Sequence, residues 1–285
     1  MTHFPGGRLE IPNSFDDTAC YDPAVTVQAK KFILSSVVLV TVAVVALPLV
    51  LDTERGNLDE EARLSAPGRF VELGHGQVHY EFEGPEGGTP VVLVHGFSVP
   101  SFVWDPTFDA LLAKGFRVVR YDRYGRGDSD RPDVPHDRKL YVEQLDELRA
   151  ALGIEGPVDL VGLSMGGPVV ASFADSHPEK VRRLVFIDPF VGPVDAGVLA
   201  VPGVGDYLAV YFVRSLPSRL SSDFHNPEKV PDWSERFREQ MRYRGFRRAL
   251  LRSVRQFMGQ DFTEVYGSVG RLNKPTLLVW GRQDQ

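Results

Sequence analysis

The chain has 285 residues and a formal net charge of −6, and its 43% hydrophobic, 25% charged and 11% aromatic content is that of a folded protein rather than a disordered one. The acidic balance argues against a nucleic-acid partner, because a phosphate backbone is bound by a clustered excess of Lys and Arg. A single cysteine, Cys20, excludes an internal disulfide framework and any multi-cysteine metal site.

Residues 1–31 read as a polar N-terminal segment. Residues 32–51 (FILSSVVLVTVAVVALPLVL) carry no charge and are long enough for a ~30 Å hydrocarbon core, which predicts one transmembrane helix. A cleaved signal peptide or a buried core helix are the alternatives. Against the first, the run follows 31 residues that include Glu10, Asp16, Asp17 and Asp22 instead of a short basic leader. Lys30 and Lys31 precede the helix, whereas Asp52 and Glu54 offset Arg55 after it. By the positive-inside rule the N-terminus is expected in the cytoplasm and the large domain on the far side. Residues 52–68 are polar and read as a linker or juxtamembrane helix.

From Arg69 onward, short apolar runs alternate with amphipathic stretches, the pattern of strands and helices packed around a largely parallel sheet. RFVEL (69–73) and QVHYEFE (77–83) read as a hairpin around Gly74-His75-Gly76. Further strands are predicted at 90–95, 116–122, 158–163, 183–188 and 276–280. Helices are predicted at 102–113, 137–152 and 165–177.

Between the strand VDLVGL and the helical stretch from Met165 lies Gly162-Leu163-Ser164-Met165-Gly166, a G-x-S-x-G in the strand–turn–helix setting such a motif needs. A serine hydroxyl is a weak nucleophile unless it is held on a sharp turn beside a base, and the flanking glycines allow that turn. Ser164 is therefore the candidate nucleophile.

With this motif in place, residues 69–285 resemble the α/β-hydrolase family, in particular its serine esterases and lipases. The resemblance implies an α/β-hydrolase fold, with a mostly parallel sheet, helices on both faces and a helical lid at about residues 190–261. Leu93-Val94-His95-Gly96-Phe97 is similar to the family's oxyanion loop. It implies that the backbone N–H groups of Phe97 and Met165 stabilise the developing O⁻, and that His95 is structural rather than the general base. Residues 121–129 (YDRYGRGDS) resemble the loop after the fourth strand, with Asp122 a structural carboxylate bonded to backbone or Arg. Gly281-Arg282-Gln283-Asp284 resembles the loop that carries the triad acid, which makes Asp284 the favoured acid and Asp188 its competitor.

In this family the chain order is nucleophile, acid, histidine, yet only Gln285 follows Asp284. The last strand, the last helix and the catalytic histidine are thus expected to be missing, as in a fragment of a longer product or a truncated relative. The lid region holds aromatics such as Tyr207, Trp233 and Phe246. They suit an apolar substrate or form the lid's own core. Arginines from Arg236 to Arg255 suit either contact with membrane lipid or a solvated face paired with acids.

No metal or organic cofactor is implied. The expected function is a membrane-anchored serine hydrolase that cleaves a small or lipidic ester through an acyl-enzyme at Ser164. Other hydrolase or perhydrolase chemistry on the same fold and an inactive anchored binding protein are the alternatives.

Overall fold

A computed structural model describes residues 23–222, 224–226, 228 and 230–282. The chain divides into two units, one ending at Val50 and the other running from Leu51.

The described residues of the first unit belong to the helix α1 (Pro23–Leu51). Its Val27–Leu51 portion is long and apolar enough to cross a membrane, with a mean hydropathy of 2.7 over its most apolar 18 residues. At 1.5 Å per residue these 25 residues extend about 37 Å, more than a hydrocarbon core requires. Thr41, a polar side chain mid-helix, donates to the Val37 carbonyl at 2.8 Å, so its hydroxyl is satisfied within the helix.

The second unit is built on a seven-stranded sheet ordered β1-β2-β4-β3-β5-β6-β7. The strands are β1 (Arg69–Leu73), β2 (Gly76–Glu83), β3 (Pro90–Val94), β4 (Arg117–Tyr121), β5 (Val158–Leu163), β6 (Val181–Ile187) and β7 (Thr276–Val279). Only β2 runs antiparallel to its neighbours; every other pairing is parallel. Central β3 and β5 are near-continuous apolar runs because both of their faces are covered. On one face α5 (Gly166–Ser176) packs on β3 and β5, flanked by α4 (Arg138–Ala151) and α9 (Thr263–Arg271), and Leu145, Phe173 and Val269 of these helices share one core with Val92, Val94 and Leu160. On the other, α3 (Asp105–Leu112) and the 3₁₀ turn before it pack Phe108 and Trp104 on Val91, Leu93 and Val161.

The predicted helix at 102–113 is thus two pieces, joined where Pro106 enters the first turn of α3. Strand β7 forms a sheet edge with all four residues exposed, Leu277 at 57% and Leu278 at 51%.

After β6 the alternation breaks into α6 (Val204–Ser222), α7 (Trp233–Gln240) and α8 (Phe246–Ser253). Their apolar faces converge on one another: Val213, Leu216, Trp233, Phe237, Met241, Phe246 and Leu250 form a separate core, joined from below by Phe97 and Phe102. Trp233, Phe237 and Phe246 therefore serve the packing of this region itself. Several of its arginines are paired with acids, including Arg236 with Asp105, Arg247 with Asp52, Arg252 with Asp133 and Arg255 with Asp206.

The segment after α1 is fastened to this region. The N–H groups of Arg55 and Gly56 donate to the Arg242 carbonyl at 2.8 and 3.0 Å, and Glu54 accepts from the Gly245 and Arg247 N–H groups. The short helix α2 (Glu60–Arg63), capped by Asp59, sends Arg63 to Asp130. Its charged composition reads as a linker in sequence because the partners of these charges lie more than a hundred residues away or beyond the next strands.

Candidate active site

Ser164 follows the last residue of β5 and sits at φ 49°, the left-handed region that non-glycine residues rarely adopt. Its N–H donates to the Ile187 carbonyl at 2.8 Å, and its own carbonyl accepts from Gly167 at 2.8 Å, which closes the turn that launches α5. The two motif glycines are required by close approach. A Cβ on Gly162 would overlap the Gly166 backbone, and one on Gly166 would overlap the Val94 carbonyl. The result is a half-buried serine raised at the C-terminal ends of the central strands.

The 93–97 loop, expected to supply an oxyanion donor, lies directly beside it. Parallel pairing sets Val94 opposite Gly162, so the chain leaving β3 passes the serine; a Cβ built on Gly96 would stand 3.5 Å from Ser164 Cβ. Among the described residues the N–H groups of Phe97 and Met165 take no part in the turn and loop hydrogen bonds. Met165 caps the N-terminus of α5, where the helix dipole also favours negative charge.

His95 is fully buried, and both of its ring nitrogens are committed. Nε2 accepts from the Arg123 N–H at 2.9 Å, so Nδ1 is protonated and donates to the Gly96 carbonyl at 2.8 Å. Burial, with Arg123 nearby, holds its pKa well below the ordinary imidazole value. His95 is a neutral brace for the loop.

Asp122, at the end of β4, accepts from the Ser101 N–H at 2.7 Å, the Asp128 N–H at 3.0 Å and His79 Nδ1 at 2.8 Å. It is bonded to backbone, one of the two partners expected for a structural carboxylate, and its side-chain partner is His79. Burial opposes charge on His79, but Asp122 at Nδ1 and the Pro67 carbonyl at Nε2 outweigh it and raise the imidazole to about 9. The same pair keeps the Asp122 carboxyl well below the usual carboxylate range despite its burial. His79, Asp122 and Asp128 bring ligand-type atoms within 4.8 Å of one another, yet both His79 nitrogens and both Asp122 oxygens already have partners.

His79 binds its proton more tightly in the folded state, so its contribution is full below the unfolded value of 6.5 and is lost as pH rises through about 9. The melting temperature should therefore fall by several degrees between pH 6.5 and 9.5, and His79→Gln should flatten that fall; scanning calorimetry across this range checks it.

Of the two candidate acids, Asp188 lies just past β6 at φ 47°, exposed, with its N–H bonded to the Val279 carbonyl at 2.8 Å. It follows Ile187, whose carbonyl holds the Ser164 N–H, and so borders the elbow. Asp284 lies outside the described residues. Among the described residues no histidine hydrogen-bonds to Ser164. His136 is buried beside Tyr141, with burial and then Arg126 pushing it down to about 3; His177 ends α5 against Phe173.

Sequence reasoning missed Arg123 and Arg126, both completely buried. An Arg123 Nη donates to the Gly96 carbonyl, and Arg126 Nε donates to the Phe97 carbonyl at 2.8 Å. The only signal was their position inside the 121–129 loop, where two cations one turn apart look like ordinary surface charge.

A serine on a tight strand–turn–helix at the carboxyl ends of a mostly parallel sheet, with the loop after β3 beside it, is the arrangement of a hydrolase-type α/β scaffold. A family model described as alpha/beta hydrolase fold matches residues 89–285, and the chain belongs to that family. It is 31% identical over 207 residues to the 2-hydroxymuconate semialdehyde hydrolase of Pseudomonas sp. (strain CF600), covering 70% of this chain and 71% of that protein. It is 34% identical over 110 residues to the non-heme chloroperoxidase of Streptomyces lividans. That match covers 39% of this chain and spans 40% of the chloroperoxidase's length. Among solved structures, the haloalkane dehalogenase DatA from Agrobacterium tumefaciens C58 superposes with a TM-score of 0.62 at 22% identity, over 74% of this chain and 79% of that one. At that identity the likeness concerns the fold alone.

Proposed function

We propose that this chain is a serine hydrolase anchored through α1, acting on a small or lipidic ester by way of an acyl-enzyme at Ser164. The observation that carries the reading is the pairing of a strained serine at φ 49° with two uncommitted N–H donors, those of Phe97 and Met165, on the loop and turn that flank it. Ser164 Oγ attacks the ester carbonyl while its proton passes to a base. The oxyanion is held by the two N–H groups until the alcohol leaves with the proton; water then releases the carboxylic acid. In this reading Asp284 orients the base, with Asp188 as the alternative acid, and the base is a group outside the described residues. The N-terminus of α1 faces the cytoplasm and the hydrolase unit the opposite side, next to membrane lipid.

Hydrolysis of p-nitrophenyl esters of graded acyl length by the full-length protein in detergent tests this. Turnover that Ser164→Ala reduces to background supports it, and equal turnover by both forms overturns it. The likeness to a chloroperoxidase favours one second reading, in which hydrogen peroxide replaces water and the acyl-enzyme yields a peracid. Peroxide-dependent halogenation in acetate buffer separates the two.

A further inference from the structure

The two buried arginines behind the oxyanion loop have no role in the mechanism above, and their environment is unusual. Neither pairs with a carboxylate among the described residues, and burial lowers the pKa of both; burial, then repulsion from Arg126, brings Arg123 down to about 10. A buried guanidinium without a counter-ion is costly, and its retention points to what its donors hold. Arg123 reaches the Gly96 carbonyl with one Nη and the Met165 Sδ with the other at 3.5 Å, its guanidinium 4.9 Å from the Tyr141 ring centre. Arg126 holds the Phe97 carbonyl through Nε and is itself fixed by Tyr141 at 3.4 Å and Ser253 at 2.8 Å. Tyr141 and Ser253 share a 2.6 Å hydrogen bond. Successive carbonyls of one loop are thus each gripped by a buried cation.

A trans peptide is planar, with its C=O and N–H pointing in opposite directions. Pinning the Gly96 oxygen therefore sets the direction of the Phe97 N–H. A charged donor on that oxygen also polarises the peptide and makes the N–H a stronger donor, since hydrogen bonds in series reinforce one another.

We infer that Arg123 is a positioning residue of the oxyanion hole, acting through the Gly96–Phe97 peptide, and that Arg126 locks the following peptide in register. Arg123 does not touch substrate; its charge stabilises the oxyanion through one peptide unit. The inference rests on the serine-hydrolase reading for its catalytic consequence, whereas the clamp itself does not depend on it.

The test measures inactivation of the full-length protein by a fluorophosphonate, in which Ser164 Oγ bonds to phosphorus, fluoride leaves and the hydroxyl proton goes to the base. In Arg123→Gln the maximal inactivation rate should fall roughly 10- to 100-fold with half-saturation unchanged, short of the ~10²–10³-fold loss on deleting an oxyanion donor outright. Arg123→Lys, which keeps the charge, should recover most of it. The ¹⁵N shift of the Phe97 amide, which reports the hydrogen bond on the preceding carbonyl, should move in the Gln variant and return in the Lys variant. A purely structural role would lower the melting temperature equally in both variants and leave the rate of the folded protein untouched, which would overturn the inference. So would an unmoved Phe97 amide. If the wild-type protein is not labelled, the serine-hydrolase reading and the catalytic consequence fall together, and the amide shift alone decides the clamp.

Discussion

Ser164→Ala is expected to lower ester turnover by about 10⁶-fold while leaving the fold intact. On the proposed mechanism, with its base in place, the magnitude follows from removal of the atom that would form the acyl-enzyme, because losing a nucleophile leaves only the rate enhancement that oxyanion donors and binding provide. Retention of the fold follows from the local structure. The elbow is held by the Ser164 N–H on Ile187 and by Gly167 on the Ser164 carbonyl, both backbone bonds that alanine keeps. Alanine also meets the same left-handed backbone cost as serine, so the melting temperature should shift by no more than about 2 °C. Paired kinetics and calorimetry check both halves, and a variant that loses activity only because it unfolds would not support the assignment.

Asp122→Ala is expected to have the largest effect on stability, about 3–5 kcal/mol or roughly 10 °C in melting temperature. The carboxylate is 2% exposed and satisfies three donors, and its removal strands His79, itself 3% exposed, next to an unfilled space. It also releases the Ser101 N–H at the start of the 3₁₀ turn that follows the 93–97 loop, so on the proposed mechanism activity should fall even at temperatures where the variant remains folded. Urea unfolding at pH 7 reads the first effect, and ester turnover well below the midpoint reads the second.

Much of the fold was legible because it is written in local pattern. The apolar run 158–163 is β5 to the residue, and Asp137 caps α4 as the helix-start signal implies. The motif around Ser164 announced the elbow because its chemistry needs adjacent residues only. Boundaries slipped where pairing, not composition, decides them. β6 begins at Val181, which pairs with Val158 across a register shift, and it ends before Asp188 turns into the left-handed region.

What stayed hidden depends on which strands become neighbours. His79 meets Asp122 because β2 lies antiparallel to β4, and Arg123 meets Gly96 because β4 lies beside β3, pairings separated by 43 and 27 residues in sequence. Neither period nor propensity encodes such partners. The segment after α1 was opaque for the same reason, since Asp52 and Glu54 find Arg247 and the Gly245 N–H across the whole domain.

The central claim is that Ser164 is the nucleophile of an acyl-transfer site. Its most direct test is to treat the full-length protein with a fluorophosphonate and map the adduct by tandem mass spectrometry. A single phosphonylated residue, Ser164, is expected, its labelling lost when a competing ester is present. An adduct on any other residue, or none while an ester is being turned over, would contradict it.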